Sequence, residues 1–271
     1  MITDLIRKRR SIRTYSGNSL SNEHIAQIER FISRLKPPFG AKVRIELIRA
    51  GLGEKPVKLG TYGWVKGAVE YLALIYEDAP LAEIAAAYVF EQTLLFCTGL
   101  GLGTCWLGGS FSRADFKKQI TLNPNEKLKI VSPVGYPADK QRWFMERLIV
   151  NADKNHATRK PFESLFFDRD FSRPLSETDA GKYAPPLEMV RLAPSANNWQ
   201  EWRIVLGDNV LHFYKVSSLF ATIDIGIALC HFGETCKEYC ISGKFEVTDG
   251  YPDGGKAEYV ISWQGEKNLI F

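Results

Sequence analysis

The stretch "LAPSANNWQEW", Leu192 to Trp202, stands two thirds of the way along a chain of 271 residues. Its small residues are followed by three amide side chains, those of Asn197, Asn198 and Gln200. Each amide can both donate and accept hydrogen bonds, and a buried amide without a partner is costly. These side chains therefore face either water or the polar edge of a ligand. Taken alone, the stretch favours a loop in water, because loops rich in asparagine are common.

The composition is that of a globular chain with a substantial core. Hydrophobic residues make up 45% of it and aromatic residues 12%, so disorder is not expected. The 35 basic and 31 acidic residues leave a net charge of +4. That charge favours anionic small molecules slightly, and we expect no nucleic-acid partner.

Cysteines, histidines and apolar runs exclude several classes of protein. The five cysteines form no CxxC pair and their number is odd, so we expect no disulfide framework and a reducing cytoplasm. The four histidines are scattered without the spacing of a metal site. The N-terminus has no apolar signal segment, and Glu91, Gln92 and several glycines break the longest apolar run, so we expect no membrane span.

The periodicity of apolar residues predicts an α+β chain whose order of elements repeats. Helices are predicted over 2–10, 19–35, 81–98, 113–120, 185–193 and 223–240, and strands over 42–50, 68–78, 127–137, 202–208, 210–216 and 257–264. A charged connection is expected over 138–160. Each half then reads helix, strand, strand, long helix, strand, which indicates an internal duplication with a period of roughly 130 residues. An unrelated α+β second half is the alternative.

The first candidate box is "RKRRSIRTY", Arg7 to Tyr15. Four consecutive basic residues cannot all be buried, so a solvated helix end is one interpretation. The other is an anion clamp, because guanidinium groups match phosphate oxygens in bidentate fashion and Ser11 adds a hydroxyl donor.

The second candidate box is "CTGLGLGTCWLGGSF", Cys97 to Phe111. Its glycines allow positive φ and a close approach of the backbone to a ligand. A dinucleotide fingerprint needs a strand before it, and here a helix precedes the box, so we reject that interpretation. A helix C-cap and tight turn is the alternative. Cys105 is expected to be a buried structural thiol rather than a nucleophile.

Together, three boxes resemble those of the FMN-dependent nitroreductase family. "RRSIRTY" is similar to its flavin-phosphate box, "GLGTCWLGG" to the segment along the flavin ring, and "LAPSANNWQEWR" to its Ala-Pro-Ser-Ser-x-Asn-x-Gln-Pro-Trp box. The resemblance covers about residues 5 to 235 and is closest to the single-chain group with a duplicated domain. Two positions depart from the third box: Ala196 replaces its second serine and Glu201 its proline.

The order of the boxes is the departure that decides the fold. In ordinary members the Pro-Ser box precedes the Gly-Leu-Gly box, whereas here it follows that box by about 90 residues. The place where it should stand holds "SRLKPPFGAKVRI". Ordinary members are homodimers whose two subunits share each flavin. The resemblance therefore implies a nitroreductase-like α+β fold of two fused, intertwined halves, 1–165 and 166–271, forming an intramolecular pseudo-dimer.

The resemblance also implies which residues bind the cofactor. One FMN per chain is expected at the boundary of the two halves, and the chain is expected to be a monomer. Contacts are implied for the following residues: Arg9, Arg10, Ser11 and Arg13 at the phosphate or ribityl region, Leu107 and Gly108 at the reactive edge of the ring, and Pro194, Ser195, Ala196 and Asn198 at the pyrimidine or ribityl side. Arg159 is implied at the phosphate, where Arg142 and Arg147 compete with it.

The implied function is that of an FMN-dependent oxidoreductase. It would oxidise NADH or NADPH and reduce a nitroaromatic or quinone-like acceptor in ping-pong fashion, with the flavin carrying the chemistry and no side-chain catalyst. Tyr62 and Trp64 are candidates for lining the acceptor pocket, although ordinary packing is the more common fate of such residues. A flavin-binding protein without efficient turnover is the alternative, and other flavin reactions stay open because a fold does not determine its function.

Overall fold

A computed structural model describes residues 1–50, 59–138 and 158–266 of the chain. The chain divides into two compact units. We name Lys8–Asn155 the N-unit, and Met1–Arg7 together with His156–Phe271 the C-unit. The predicted halves, 1–165 and 166–271, concern the duplication and stay a prediction.

The two units hold these helices and strands. The N-unit contains α2 (Asn22–Ser33), β1 (Val43–Arg49), β2 (Glu70–Glu77), α3 (Ala82–Gly99), β3 (Gly103–Thr104), α4 (Arg113–Lys117) and β4 (Glu126–Gly135). The C-unit contains β5 (Phe166–Asp168), α5 (Ala184–Leu192), β6 (Trp202–Gly207), β7 (Val210–Val216), α6 (Ala221–Glu238), β8 (Gly243–Glu246) and β9 (Ala257–Gly265). Helix α1 (Ile2–Lys8) holds the first residues of the C-unit.

Capping side chains explain where the first two helices begin. The Ser21 hydroxyl accepts a hydrogen bond from the His24 N–H at 3.1 Å, as expected of an N-cap serine. At the start of α1, the Glu238 carboxylate accepts from the Thr3 N–H at 3.1 Å and from the Thr3 hydroxyl at 2.8 Å. A carboxylate at this position also interacts favourably with the positive end of the helix dipole.

Helices α3 and α6 form the centre of their units. Both have 18 residues, and both are buried over most of their circumference. A helix that is apolar on all sides is stable only where it is covered by other elements. The exceptions are therefore informative: Glu91 in α3 and Asp224 in α6 are charged residues that are almost fully buried.

The two sheets repeat one order of strands. The sheet of the N-unit runs β1-β2-β4-β3 and that of the C-unit β5-β6-β7-β9-β8. Apart from β5, which pairs in parallel with β6, each sheet places its first, second, fourth and third strands side by side in antiparallel pairs. Each also has an irregularity in register between its second and fourth strands, at Leu74/Ile75 and at Phe213/Tyr214.

The α+β prediction is confirmed, and the long elements lie where periodicity placed them. Three short strands, β3, β5 and β8, were not predicted, because runs of two to four residues show no usable period. The predicted helix 2–10 ends at Lys8. The predicted connection over 138–160 lies mostly outside the described residues. No described helix is both long enough and apolar enough to cross a membrane.

Candidate functional site

The basic box lies beside strand β3 of the N-unit. Ser11 forms a bridge with Thr104, and the Ile12 N–H donates to the Thr104 carbonyl at 2.9 Å. The Arg13 carbonyl accepts from the Lys66 N–H at 2.9 Å. Because β3 (Gly103–Thr104) is itself part of the glycine-rich box, the pairing brings the first and second candidate boxes together within one unit.

Arg9 is buried, whereas its neighbours Lys8 and Arg10 are exposed. Only 7% of Arg9 is accessible, and its Nε lies 3.7 Å from the carboxylate of Glu91, which is fully buried. Glu91 also accepts from the indole N–H of Trp106 at 2.7 Å. The interpretation of the run as a solvated helix end therefore fails for Arg9, and for its exposed neighbours both interpretations stay open.

One guanidinium nitrogen of Arg9 has no acceptor. Nη1 is buried and has no hydrogen-bond partner among the described residues. Buried polar groups in folded proteins are nearly always hydrogen-bonded, so such an atom needs an explanation. An anionic ligand beside the basic box would supply the missing acceptor.

The other members of the basic box are arranged differently. The exposed Arg10 donates from Nη1 to the Arg9 carbonyl at 2.8 Å. Ser11 and Arg13 are half-buried. The basic box can therefore offer hydrogen-bond donors both below the protein surface, from Arg9, and at the surface, from Arg10.

The glycine-rich segment serves two structural purposes. Gly101 follows the end of α3 with φ of 77°, and the Leu102 N–H donates to the Cys97 carbonyl at 3.0 Å, so the expected helix C-cap is present. At Gly103, an added Cβ would lie 2.8 Å from Cβ of Ile12. Glycine is therefore required there for the basic box to lie against β3.

In the segment after β3, the backbone amide of Leu107 already forms a hydrogen bond within the protein. The Leu107 N–H donates to the Val131 carbonyl at 2.9 Å, and the Leu107 carbonyl accepts from the Val131 N–H at 3.1 Å. Leu107 is therefore the less available of the two amides predicted for the flavin, and the role of Gly108 stays a prediction. Cys105 is buried at 2% exposure, as predicted for a structural thiol.

The Pro-Ser box forms a tight 3₁₀ turn over Ala196–Asn198, immediately before β6 of the C-unit. Three of its residues have left-handed backbone without being glycine: Asn197 (φ 49°), Asn198 (φ 55°) and Gln200 (φ 50°). Such conformations store strain and are concentrated at functional sites. The Ser195 hydroxyl accepts from the Gln200 N–H at 2.9 Å and so closes the turn.

The segment Thr158–Lys160 binds this turn through its side chains and backbone. Arg159 donates to the Asn198 side-chain oxygen and, at 3.0 Å, to the Leu192 carbonyl. The Asn198 amide donates to the Thr158 carbonyl at 3.1 Å. Sequence reasoning assigned Arg159 and Asn198 to the ligand separately, and the structure brings them into contact with each other.

Gln200 and Lys160 complete this clamp. Gln200 is buried, and its side-chain oxygen accepts from the Lys160 N–H at 3.0 Å. The ammonium group of Lys160 donates to the Trp199 carbonyl at 2.6 Å. Burial lowers the pKa of Lys160 most, and the nearby Arg203 lowers it further.

Asp224, in the first turn of α6, holds the amino end of the turn. The Ala196 N–H donates to both carboxylate oxygens, at 3.0 and 3.1 Å. Burial raises the pKa of Asp224 to about 7, the bond from Ala196 opposes that rise, and the nearby Glu201 adds to it. The site therefore contains a carboxyl that changes charge near neutral pH.

Sequence reasoning missed Glu91, Trp106, Lys160 and Asp224. A signal was available for the two acids, since each stands among apolar residues of a long helix, and a buried charge requires a partner. Tyr62 and Trp64 remain exposed, at 68% and 42%, so neither belongs to the core. Arg142 and Arg147 lie outside the described residues, and the described residues contain no cluster that could hold a metal ion.

A family model described as "Putative TM nitroreductase" matches residues 1–235, a range that includes all three boxes. Among solved structures, the fold is similar to that of a "putative nitroreductase" from Thermotoga maritima, with 20% identity, a TM-score of 0.62 and coverage of 97% of this chain and 93% of that chain. No curated protein matches the sequence.

Other similar structures cover about half of this chain. A nitroreductase with bound FMN from Bacteroides fragilis has 15% identity and a TM-score of 0.42, and the match covers 52% of this chain and 91% of that chain. An FMN-dependent nitroreductase from Clostridium difficile has 16% identity and a TM-score of 0.42, with coverage of 53% and 91%.

Proposed function

The chain belongs to the TM nitroreductase family, and on that premise we propose that it is an FMN-dependent oxidoreductase that oxidises NADH or NADPH. The electrons and protons balance as follows when the acceptor is a quinone. NAD(P)H gives two electrons and becomes NAD(P)⁺, while the quinone takes them up with two protons, one from NAD(P)H and one from solvent, and becomes the quinol. A nitroaromatic acceptor takes up electrons from NAD(P)H in the same pairs.

The observation that carries this proposal is the unsatisfied Nη1 of Arg9. Nε of the same side chain lies beside the Glu91 carboxylate, whereas Nη1 is buried and has no acceptor among the described residues. A phosphate or ribityl oxygen would complete it with a charge-assisted hydrogen bond. The residues present therefore fit the anionic part of FMN.

The rest of the basic box would hold the same part of the cofactor. We propose that Arg10, Ser11 and Arg13 provide further donors to the phosphate or ribityl region, with Arg10 at the exposed side. Arg9 is paired with Glu91, whereas Arg10 is exposed and Arg13 is half-buried. Arg159 stays a predicted phosphate ligand, and its bond to Asn198 gives it a second role in holding the turn.

The remaining predicted residues would position the ring. Bound FMN supplies reversible two-electron redox chemistry, which no side chain of the protein can supply. We propose that Gly108, beside Leu107, contacts the reactive edge, and that Pro194, Ser195, Ala196 and Asn198 contact the pyrimidine or ribityl side. The Ser195 oxygen already accepts from Gln200, so its hydroxyl hydrogen is the part that can be offered to a ligand.

We propose one FMN per chain, because the turn that corresponds to the Pro-Ser box in the N-unit has different chemistry. That turn is a 3₁₀ turn over Pro38–Gly40, and it also precedes the first long strand of its unit. Its proline and phenylalanine offer no side-chain donor or acceptor. That the basic box and the Pro-Ser turn bind the same FMN stays a prediction.

Titration of the cofactor-free protein with FMN tests the proposal. We expect saturation at one FMN per chain, bleaching of the flavin absorbance by NADH or NADPH, and its recovery when a quinone or nitroaromatic is added. Two sites of similar affinity would exclude the single-site proposal. Binding without bleaching would identify a flavin-binding protein without turnover, and no binding at all would contradict the proposed function.

A further inference from the structure

The segment Ser195–Gln200, which contains the 3₁₀ turn, needs support from outside itself. Asn197, Asn198 and Gln200 are all left-handed, and none is a glycine. Asparagine tolerates this conformation better than most residues, but a run of such residues persists only when the surrounding structure holds it. The supports of this turn therefore decide whether its shape exists before a ligand binds.

The two ends of the turn are supported by different elements. The carboxyl end is held by Lys160 and by the bond between Gln200 and the Ser195 hydroxyl. At the amino end, the Ala196 N–H donates to the carboxylate of Asp224. The turn thus depends on helix α6 through one backbone donor and one acid.

Burying the Asp224 carboxylate at this position is energetically unfavourable. Only 2% of Asp224 is exposed, and the nearby acid Glu201 raises its pKa further. A buried carboxylate pays a large desolvation penalty. The first turn of a helix offsets part of that penalty, and the Ala196 N–H offsets another part.

The N-unit provides an internal comparison. Its 3₁₀ turn has Pro38 as the first residue, where the turn of the C-unit has Ala196. The fourth residue of α3 is Ala85, and the fourth residue of α6 is Asp224. In the N-unit, the turn has no N–H at its first residue and the helix has no carboxylate at its fourth residue. At these two positions, the donor and the acid are thus both present in the C-unit and both absent in the N-unit.

We propose that Asp224 is a positioning residue of the cofactor site, which holds the Ser195–Gln200 turn in its left-handed shape by accepting the Ala196 N–H. This inference rests on the proposed function, because the proposed FMN is the ligand that the turn would contact. It assigns Asp224 no contact with that ligand. It also explains how the turn is anchored although alanine replaces the serine that the family's box has at position 196.

Hydrogen exchange of the cofactor-free protein, followed by mass spectrometry, tests the contact without any flavin. We expect Asp224→Leu to speed exchange of the Ala196 amide by about tenfold or more, because the acceptor is gone. Asp224→Asn retains an oxygen acceptor and should stay within about threefold of the natural protein. Glu234→Gln, on the same helix but paired with Lys237, is the matched control and should change nothing at Ala196.

FMN affinity of the same variants tests the consequence of the contact. We expect Asp224→Leu to raise the FMN dissociation constant by about tenfold, and Asp224→Asn and Glu234→Gln to change it by no more than about threefold. Equal affinities for Asp224→Leu and the natural protein would overturn the proposal. If the natural protein binds no FMN, the proposed function fails, and the exchange result still decides whether Asp224 holds the turn.

A second pair of variants covers the case in which Asp224→Leu does not fold. Ala196→Pro copies the N-unit, removes the donor and leaves the carboxylate unmatched, so its Tm should fall. Adding Asp224→Ala, the residue of α3, should restore part of that Tm, since contacting residues are coupled. A double variant no more stable than Ala196→Pro alone would overturn the proposal.

Discussion

At the scale of single residues, two buried acids place the groups that the sequence assigned to the ligand. Glu91 orients Arg9, and Asp224 anchors the backbone at Ala196. Both acids lie on central helices, whereas the groups they hold lie on connecting segments. Rigid elements can hold loop residues in position in this way, which suits a binding site.

The first prediction concerns the basic box. Replacing both Arg9 and Arg10 with alanine should weaken FMN binding by several-fold to a few hundredfold, using about 1.5–3 kcal/mol for a charged hydrogen bond. Isothermal titration of the single variants should assign most of this loss to Arg9, because its free Nη1 is buried and Arg10 is exposed.

This experiment needs a background in which Glu91 is not left unpaired. Removing one partner of a buried ion pair typically costs about 3–5 kcal/mol of stability, so Glu91→Gln should accompany every variant and serve alone as the reference. Arg30→Ala, an exposed arginine of α2, is the matched control for loss of charge. Unchanged affinity in the double variant would leave the basic box without a role in FMN binding.

The second prediction concerns the pH dependence of stability. The pKa of Asp224 is about 7 in the folded chain against 3.8 as its ordinary value, so the folded state binds the proton more tightly. Its stabilising contribution is complete below the lower pKa and is lost as the pH rises towards 7. The slope of the free energy of unfolding reaches at most about 1.4 kcal/mol per pH unit.

Urea denaturation from about pH 4 to about pH 9 measures this contribution. Asp224→Asn has no proton to lose, so its stability should fall less steeply than that of the natural protein between pH 4 and 7. The two curves should run parallel above about pH 8, where Asp224 is fully ionised. Parallel curves over the whole range would contradict the raised pKa.

At the scale of elements, strand β3 connects the basic box to the glycine-rich segment. It has two residues, and its importance lies in the pairing of Ser11 and Ile12 with Thr104. The contact is possible because Gly103 has no side chain where Ile12 lies. The glycine-rich box therefore shapes the protein itself, whatever it contributes to a ligand.

The third prediction follows from that contact. Gly103→Ala should lower Tm and weaken FMN binding, because the new Cβ would lie 2.8 Å from Cβ of Ile12 and one of the two segments must move. Overpacking of this kind typically costs about 1–3 kcal/mol. Adding Ile12→Ala should recover part of both losses, whereas Ile12→Ala alone should only leave a cavity. If adding Ile12→Ala restored neither Tm nor FMN affinity, the effect of Gly103→Ala would not come from its contact with Ile12.

At the scale of the whole molecule, one topology occurs twice and carries different chemistry each time. Both units order their strands first, second, fourth, third, and both place a strained 3₁₀ turn before the first of these strands. Phe39 and Asn197 are each the second residue of their turn, and both have left-handed backbone, with φ of 63° and 49°. This repetition supports the predicted duplication more strongly than the weak similarity of the residues does.

The fourth prediction concerns assembly and stoichiometry. If the two halves replace the two subunits of ordinary relatives, light scattering should give the mass of one chain, with and without FMN. Bound FMN, released by heat and measured by absorbance, should then amount to about one per chain. A stable dimer with two FMN per chain would contradict the single-chain arrangement.

The sequence by itself determined the α+β class, the long helices and strands, the repeated order of elements and the three boxes. These features follow from local periodicity and from short runs of residues, which a linear reading detects. The tertiary structure decided which arginine is buried, which glycine is indispensable, and which acids contact the basic box and the Pro-Ser turn. Arg9 meets Glu91 and Ala196 meets Asp224 across 82 and 28 positions of the chain. Burial and hydrogen bonding between such distant residues arise only when the chain folds, so no local pattern reveals them.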